Sequence, residues 1–158
     1  MIRIIACGKV RNGWMKQGIE DYSGRIRPYD RIEVIEVADE KAPESNSAAE
    51  NEQVKKTEGE RLLKQIREDD YVILLDLAGK QLSSEGLAEK METLYSHSSN
   101  RIDFVIGGSL GLSPEVIARA DFRWKISDAT FPHQLCRILV LEQIYRSFRI
   151  RRNEPYHK

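Results

Sequence analysis

A glycine-containing segment, "VIGGSLGLS" (105–113), could hold a small molecule through its backbone. Gly107 and Gly108 follow an apolar run, and Gly111 comes three residues later. Glycine lets a backbone approach a ligand closely, or simply turn sharply. The segment is not a P-loop, because no Gly-Lys-Ser/Thr follows it, and it lacks the spacing of a dinucleotide fingerprint. It therefore indicates either a backbone-lined ligand site of another kind or a turn.

A second segment, "ISDATFPHQ" (126–134), offers hydroxyl and carboxylate groups at Ser127, Asp128 and Thr130. These groups could contact a ligand or cap the helix that follows, and the two roles are compatible. His133 lies just inside that helix, where a structural role is the commoner one. No Ser-His-Asp, Cys-His or metal-ligand spacing occurs, so hydrolytic and metal chemistry are not supported. We expect Cys7 and Cys136 to be unpaired thiols.

The C-terminal end is basic although the formal net charge of the 158 residues is zero. Residues 119–158 hold 9 basic and 4 acidic side chains, whereas residues 33–70 hold 6 basic and 12 acidic ones. Aromatic residues lie among the cations, a pattern that suits phosphate contacts and base stacking. A solvated helix end is the alternative. The cations are Arg137, Arg146, Arg149, Arg151, Arg152 and Lys158.

Strands and helices alternate along the chain, which predicts one α/β domain (1–158) around a mainly parallel sheet. Ligands of such sheets bind beyond the carboxyl ends of the strands. The loops after Leu75, Ile106 and Ile126 leave those ends. The predicted strands are 2–8, 31–38, 71–77, 101–108 and 122–127, and the predicted helices are 12–26, about 50–67, about 83–96, a short one after Ser113, and about 133–150.

The last helix is apolar around most of its circumference, so two sides of it must be covered. The sheet covers one side, and the same helix of a second copy is the simplest cover for the other, which predicts a homodimer. A helix enclosed within one domain is the alternative. No apolar run is long enough to span a bilayer, and the N-terminus lacks a signal peptide, so we expect a cytoplasmic protein without a membrane partner.

Several long motifs resemble the bacterial ribosomal large-subunit RNA methyltransferase H family of the SPOUT class. They are "VIGGSLGL", "FPHQLCRILVLEQIYRSFRI" and the closing "NEPYHK", with "CGKV", "YSGRIRPY", "DEKAPES" and "LDLAGKQLSSEGLA". The resemblance implies a deep trefoil knot in the C-terminal half, an obligate homodimer and S-adenosylmethionine as methyl donor. It also implies methylation at N3 of a pseudouridine in 23S rRNA of the assembled ribosome. Without it, the pattern predicts an ordinary doubly wound sheet, because knots are very rare.

The resemblance also implies site residues. The donor pocket would be built from three loops, and the C-terminal tail would lie near a pocket, that of the partner subunit. Independently of the resemblance, we expect Arg137, Arg146, Arg152 and Lys158 of the basic end to contact RNA. The donor-binding residues would be Leu75, Gly107, Ile126, Ser127, Asp128, Ala129, Thr130 and Phe131.

The proton on N3 must leave during methyl transfer, and a general base within hydrogen-bond reach would help. His157 and Tyr156 are the candidates for this role, with His133 and Arg137 as alternatives for orientation or phosphate contact; water is a further possibility. No metal is expected. Two other functions stay open: a ribosome-binding SPOUT-fold module without methyl transfer, and, disfavoured by the missing fingerprint, a dinucleotide-dependent enzyme.

Overall fold

A five-stranded parallel sheet forms the centre of the computed structural model, which describes residues 1–45, 47–97 and 101–158. The strand order is β2-β1-β4-β3-β5, and every pair of neighbours runs parallel. The predicted α/β class with a parallel sheet is confirmed. The elements are β1 Ile2–Cys7, α1 Gly13–Ile26, β2 Ile32–Val37, α2 Ala48–Leu63, β3 Tyr71–Gln81, α3 Ser84–Ser96, β4 Ile102–Ile106, α4 Pro114–Arg119, β5 Phe122–Lys125 and α5 His133–Arg151.

The two faces of the sheet carry separate apolar cores, because successive side chains of a strand point to opposite faces. On one face Ile4, Ile73 and Phe104 pack against α1, α3 and α5. On the other face Val72 and Val105 pack against α2 and α4. The central strands β1 and β4 are buried along their whole length. Their two charged side chains, Arg3 and Asp103, are buried as a hydrogen-bonded pair (2.8 Å).

Strand β3 runs four residues beyond its predicted end. Its pairing with β5 breaks after Leu75 and resumes at Lys80, so residues 76–79 bulge out between two ladders. Gly79 makes this possible, because a Cβ there would lie 2.6 Å from the backbone carbonyl carbon and oxygen of Arg123. The turn predicted at "AGK" is therefore a bulge within one long strand.

Other boundaries differ by a few residues: α2 spans 48–63 rather than 50–67, and β5 ends at Lys125 rather than 127. Helix α5 ends in a Schellman motif, in which Asn153 takes a left-handed φ of 52°. The amide of Asn153 donates to the carbonyl of Ile150 (3.1 Å), and that of Glu154 to the carbonyl of Arg149 (2.9 Å). The helix thus stops sharply, and the tail leaves it in a defined direction.

Within the described ranges, no helix is both long and apolar enough to cross a membrane. The deep trefoil knot stays a prediction.

Candidate functional site

A cavity of about 310 Å³ opens at the carboxyl edge of the sheet, between the bulge of β3, the loops that follow β4 and β5, and the start of α5. Parallel strands bring these three segments to one edge, as the sequence predicts. Seven of the eight predicted donor-binding residues line this cavity: Leu75, Gly107, Ile126, Ser127, Ala129, Thr130 and Phe131.

The glycine loop after β4 has neither space nor the right backbone for larger side chains. A Cβ on Gly107 would lie 2.7 Å from Cδ2 of Leu112, and one on Gly108 would collide with the carboxylate of Glu58. Gly111 has a φ of 101°, which only glycine adopts readily. The loop therefore presents bare backbone to the cavity.

A buried carboxyl group supports this loop from behind. Glu58 of α2 is 4% exposed and accepts a hydrogen bond from Sγ of Cys7 (2.6 Å). Burial raises the pKa of Glu58. Burial, followed by the contact with Glu58, raises the pKa of the Cys7 thiol strongly. Cys7 is thus held as an inert thiol, unpaired as expected, and cannot act as a thiolate nucleophile.

Asp128 differs from the prediction, because its side chain does not line the cavity. Its exposed carboxylate accepts a hydrogen bond from Nζ of Lys125 (2.7 Å), and this pairing lowers the pKa of Asp128. The neighbouring Ser127 Oγ accepts from the amide of Ala129 (3.0 Å) and shapes the turn. The hydroxyl and carboxylate groups of this loop are thus partly engaged in holding its own conformation.

The cavity has further walls that the sequence analysis did not assign. Leu77, on the bulge of β3, is 61% exposed beside Phe131, which is 37% exposed. Trp124 of β5 also lines the cavity, as do His133 and Cys136 from the first turn of α5. Burial and the charge of Arg137 lower the pKa of His133, so its imidazole is neutral at pH 7. The apolar bulge was hidden in the sequence because "LAGK" reads as a turn.

Arg137 is not a surface cation. It is 0% exposed, and its guanidinium donates to the carbonyls of Cys7 and Gly8 (2.7 Å each) and to Oε1 of Glu36 (2.8 Å). A contact of Arg137 with RNA, as predicted, would require its guanidinium to leave these buried partners. The side chain fastens α5 to the carboxyl ends of β1 and β2, one turn beyond His133.

The C-terminal tail lies on α5 of its own chain. Nδ1 of His157 is 3.2 Å from Nη1 of Arg146, and its Nε2 is 2.8 Å from Oε1 of Glu85. Because the arginine can only donate, Nδ1 accepts a hydrogen bond from it. Nε2 therefore carries the ring proton and donates a hydrogen bond to Glu85. Both ring nitrogens of His157 are thus occupied.

Tyr156 is held by the same surface. Its hydroxyl donates to Oε1 of Glu142 (3.2 Å), and the guanidinium of Arg146 lies 4.6 Å from its ring centre. Burial, followed by the charge of Glu142, raises the pKa of Tyr156 to about 12. The phenol is therefore protonated at neutral pH, which disfavours Tyr156 as a proton acceptor.

The four predicted RNA-binding cations thus occupy three kinds of environment. Arg137 is buried, and Arg146 is half-buried and bound to Glu142. Arg152 and Lys158 are exposed, and Arg152 stacks on the ring of Tyr29 at 4.7 Å. Among the described residues, neither of these two side chains has an ion pair, so both charges are available to a phosphate. Within the part of the chain that the structure describes, no group of three or more His, Cys, Asp or Glu side chains could hold a metal ion.

Comparison with known proteins gives one consistent result. A family profile described as "Predicted SPOUT methyltransferase" matches residues 1–157. Two similar curated proteins, from Carboxydothermus hydrogenoformans and Alkaliphilus oremlandii, are 52% and 51% identical over 157 residues, with 99% of each chain covered. A third, from Desulfitobacterium hafniense, is 51% identical and covers 99% of this chain and 98% of its own. All three are named "Ribosomal RNA large subunit methyltransferase H".

Proposed function

The chain belongs to the SPOUT methyltransferase family, and we propose that it is an S-adenosylmethionine-dependent methyltransferase acting on N3 of a pseudouridine in 23S rRNA. The observation that carries the proposal is the cavity formed by the β3 bulge and the loops after β4 and β5 at the carboxyl edge of the sheet. The relatives' shared name supports the large ribosomal subunit as the source of the substrate.

The residues around the cavity suit S-adenosylmethionine. The cavity of about 310 Å³ lies at the small end of the ~300–1,000 Å³ range of small-molecule sites. Leu75 and Ile126 offer apolar surface to an adenine ring, and the backbone around Gly107 offers hydrogen-bonding groups that no side chain obstructs. When bound, the donor supplies an electrophilic methyl group, so the protein's task is to position the base and remove its proton.

The group that accepts the proton from N3 is the unassigned part of this chemistry, and the contacts of the tail reduce the number of candidates. His157 can accept a proton only after Nδ1 leaves Arg146, because Nε2 already carries one. Tyr156 is disfavoured by its raised pKa. We therefore propose His157 as the side-chain base in a rearranged tail, with water as the other acceptor.

We propose that the protein acts as a homodimer with the tail of one subunit at the pocket of the other. The tail does not line the cavity of its own chain. It lies instead along a face of α5 where Leu135 and Leu139 are only half-buried and Glu142 and Arg146 hold Tyr156. A second copy that covers this face would come next to the tail.

Two measurements test the proposed function. Calorimetry with S-adenosylmethionine tests the cavity, and methyl transfer to purified 70S ribosomes and free 50S subunits, with mapping of the modified base, tests the substrate. Ala129→Trp should abolish donor binding, because an indole at a lining position fills the cavity. Asp128→Trp is the matched control, since the same side chain one residue away stands outside the lining and should leave binding intact.

The outcomes separate the two remaining functions. Donor binding with methylation of a 23S pseudouridine supports the enzyme. A protein that binds ribosomes but not S-adenosylmethionine would instead be a ribosome-binding SPOUT-fold module. Equal donor binding by both tryptophan variants would show that the donor lies elsewhere.

A further inference from the structure

Three side chains, here called the tail latch, fasten the root of the C-terminal tail: Tyr29 from the turn after α1, Arg149 from α5, and Glu154 from the tail itself. The carboxylate of Glu154 accepts from the hydroxyl of Tyr29 and from Nη1 of Arg149 (2.6 Å). Nη1 of Arg149 also donates to the hydroxyl oxygen of Tyr29 (3.0 Å), and Nη2 to the carbonyl of Pro155 (3.0 Å). One guanidinium thus contacts the side chain of residue 154 and the backbone of residue 155.

The latch is itself held in place. The ring of Tyr29 stacks on Phe148 with 5.1 Å between ring centres, and its amide donates to the carbonyl of Ile26 (2.8 Å) at the end of α1. The left-handed turn at Asn153 directs Glu154 back towards Arg149, one turn earlier in α5. Glu154 and Pro155 are therefore held by three features at once: Arg149 on α5, the turn at Asn153, and the stacked ring of Tyr29.

We propose that the tail latch positions Tyr156 and His157 for methyl transfer, with Tyr29 as a positioning residue that never touches the substrate. The expected effect on methyl transfer rests on the proposed function, whereas the expected effect on the order of the tail does not. Without the hydroxyl of Tyr29, Glu154 keeps only Arg149 as a partner. The root of the tail is then held less tightly, although Tyr156 and His157 keep their own contacts. Because positioning errors of about 1 Å can cost about a hundredfold in rate, a loosened root should lower turnover.

The test compares two tyrosine-to-phenylalanine variants. Tyr29→Phe removes the latch hydroxyl. Tyr95→Phe is the matched control, because that hydroxyl also donates to a carboxylate, that of Asp30, beside the same Phe148 ring, but does not contact the tail. Tyr29→Phe should lower kcat about tenfold, with KM for ribosomes and Kd for S-adenosylmethionine within about twofold of wild type. Tyr95→Phe should keep kcat within about twofold.

Two further variants separate the latch from a general loss of stability or charge. Glu154→Gln should lower kcat as Tyr29→Phe does, and the double variant should be no worse than the poorer single one, because both break one unit. Arg149→Lys keeps the charge but loses the planar guanidinium that donates to Glu154 and Pro155 at once, so it should behave like the latch variants. If lysine restores full turnover, Arg149 acts as a charge for RNA, and the latch is overturned.

A structural readout keeps the proposal independent of activity. NMR relaxation of the backbone amides of residues 154, 156 and 157 should show lower order parameters in Tyr29→Phe than in the wild type, and no change in Tyr95→Phe. Unchanged tail order, or an equal loss of kcat in the two variants, would overturn the latch. Failure of the wild type to methylate any ribosomal particle would count against the proposed function instead, and the relaxation data would still decide whether the latch fixes the tail.

Discussion

At the scale of single residues, the most consequential charge outside the site is that of Asp70. It lies at the opposite edge of the sheet, where it accepts from Arg3 (3.0 Å), Arg101 (2.5 Å) and the amide of Arg67 (2.7 Å). Burial alone would raise the pKa of Asp70, but the hydrogen bonds, with that from Arg101 the largest, outweigh it and hold the pKa at about 2. Its ionised form is therefore a stabilising part of the fold.

This shift predicts how stability depends on pH. A folded pKa of about 2, below the unfolded value of about 3.9, stabilises the protein above pH 4, and this stabilisation disappears as the pH falls towards 2. Asp70→Asn should therefore lower the free energy of unfolding by about 2 kcal/mol or more at pH 7, and the difference from wild type should shrink towards pH 2. Urea titrations at fixed protein concentration measure this.

The control is Asp21→Asn, which breaks an exposed pair with Arg25 on α1. It should change stability by less than about 1 kcal/mol at any pH, as surface ion pairs do. A pH-independent difference between Asp70→Asn and wild type would contradict the assignment of the depressed pKa to Asp70.

The roles of individual residues were the part of the site that was hardest to predict from the sequence. The family resemblance implied the individual lining residues, and the loops that hold them were predictable because glycines and short polar segments at strand ends are typical of a ligand site. Arg137 and Asp128 were not, because their roles depend on what their side chains meet: the carbonyls of Cys7 and Gly8 for Arg137, and Lys125 for Asp128. The engagement of His157 by Glu85 joins residues far apart in the chain, and no local pattern signals it.

At the scale of elements, the long strand β3 couples the sheet to the cavity. Its bulge carries Leu77 at the cavity, and the pairing with β5 resumes at Lys80, opposite Trp124. Gly79→Ala would press a Cβ onto the backbone of Arg123 at 2.6 Å, which only movement of β5 can relieve. We expect a loss of about 1–3 kcal/mol in stability and weaker binding of S-adenosylmethionine, measured by thermal unfolding and calorimetry.

Gly13→Ala provides the matched control for this variant. No atom lies within 4 Å of a Cβ built there, and the residue opens α1, so alanine should be neutral or stabilise by up to about 1 kcal/mol. If Gly79→Ala unfolds and binds the donor as Gly13→Ala does, β5 tolerates the extra atom, and the bulge does not control the cavity.

Elements were also what the sequence predicted best. All ten helices and strands of the described chain lie where apolar periodicity and turn residues indicate, and the meeting of three loops at one edge follows from parallel pairing. The extension of β3 was missed because it depends on a close fit to β5 that only the absence of a side chain at Gly79 permits. Local pattern defines an element, whereas tertiary contact decides where it stops.

At the scale of the whole molecule, α5 is buried on one side and half-exposed on the other. Val140, Leu141, Ile144 and Phe148 pack into the core, while Leu135 and Leu139 are only half-buried. Trp14, at the start of α1, is 56% exposed. An apolar face of this kind, next to a tail that does not line its own cavity, is what a two-fold contact between subunits would need.

The whole-molecule arrangement can be tested by building one active site from two defective subunits. One subunit lacks residues 156–158, which leaves the tail latch intact, and the other carries Ala129→Trp, which fills its cavity. Each homodimer should be inactive in methyl transfer. If the tail serves the partner's pocket, a heterodimer purified through two different tags holds one complete site, formed by the open cavity of the first and the tail of the second. It should retain about half of the wild-type turnover, given that intact subunits contribute additively. If the tail serves its own pocket, no complete site exists and the heterodimer is inactive.

A heterodimer with Asp128→Trp in place of Ala129→Trp controls for the added indole, and light scattering confirms that both preparations are dimers.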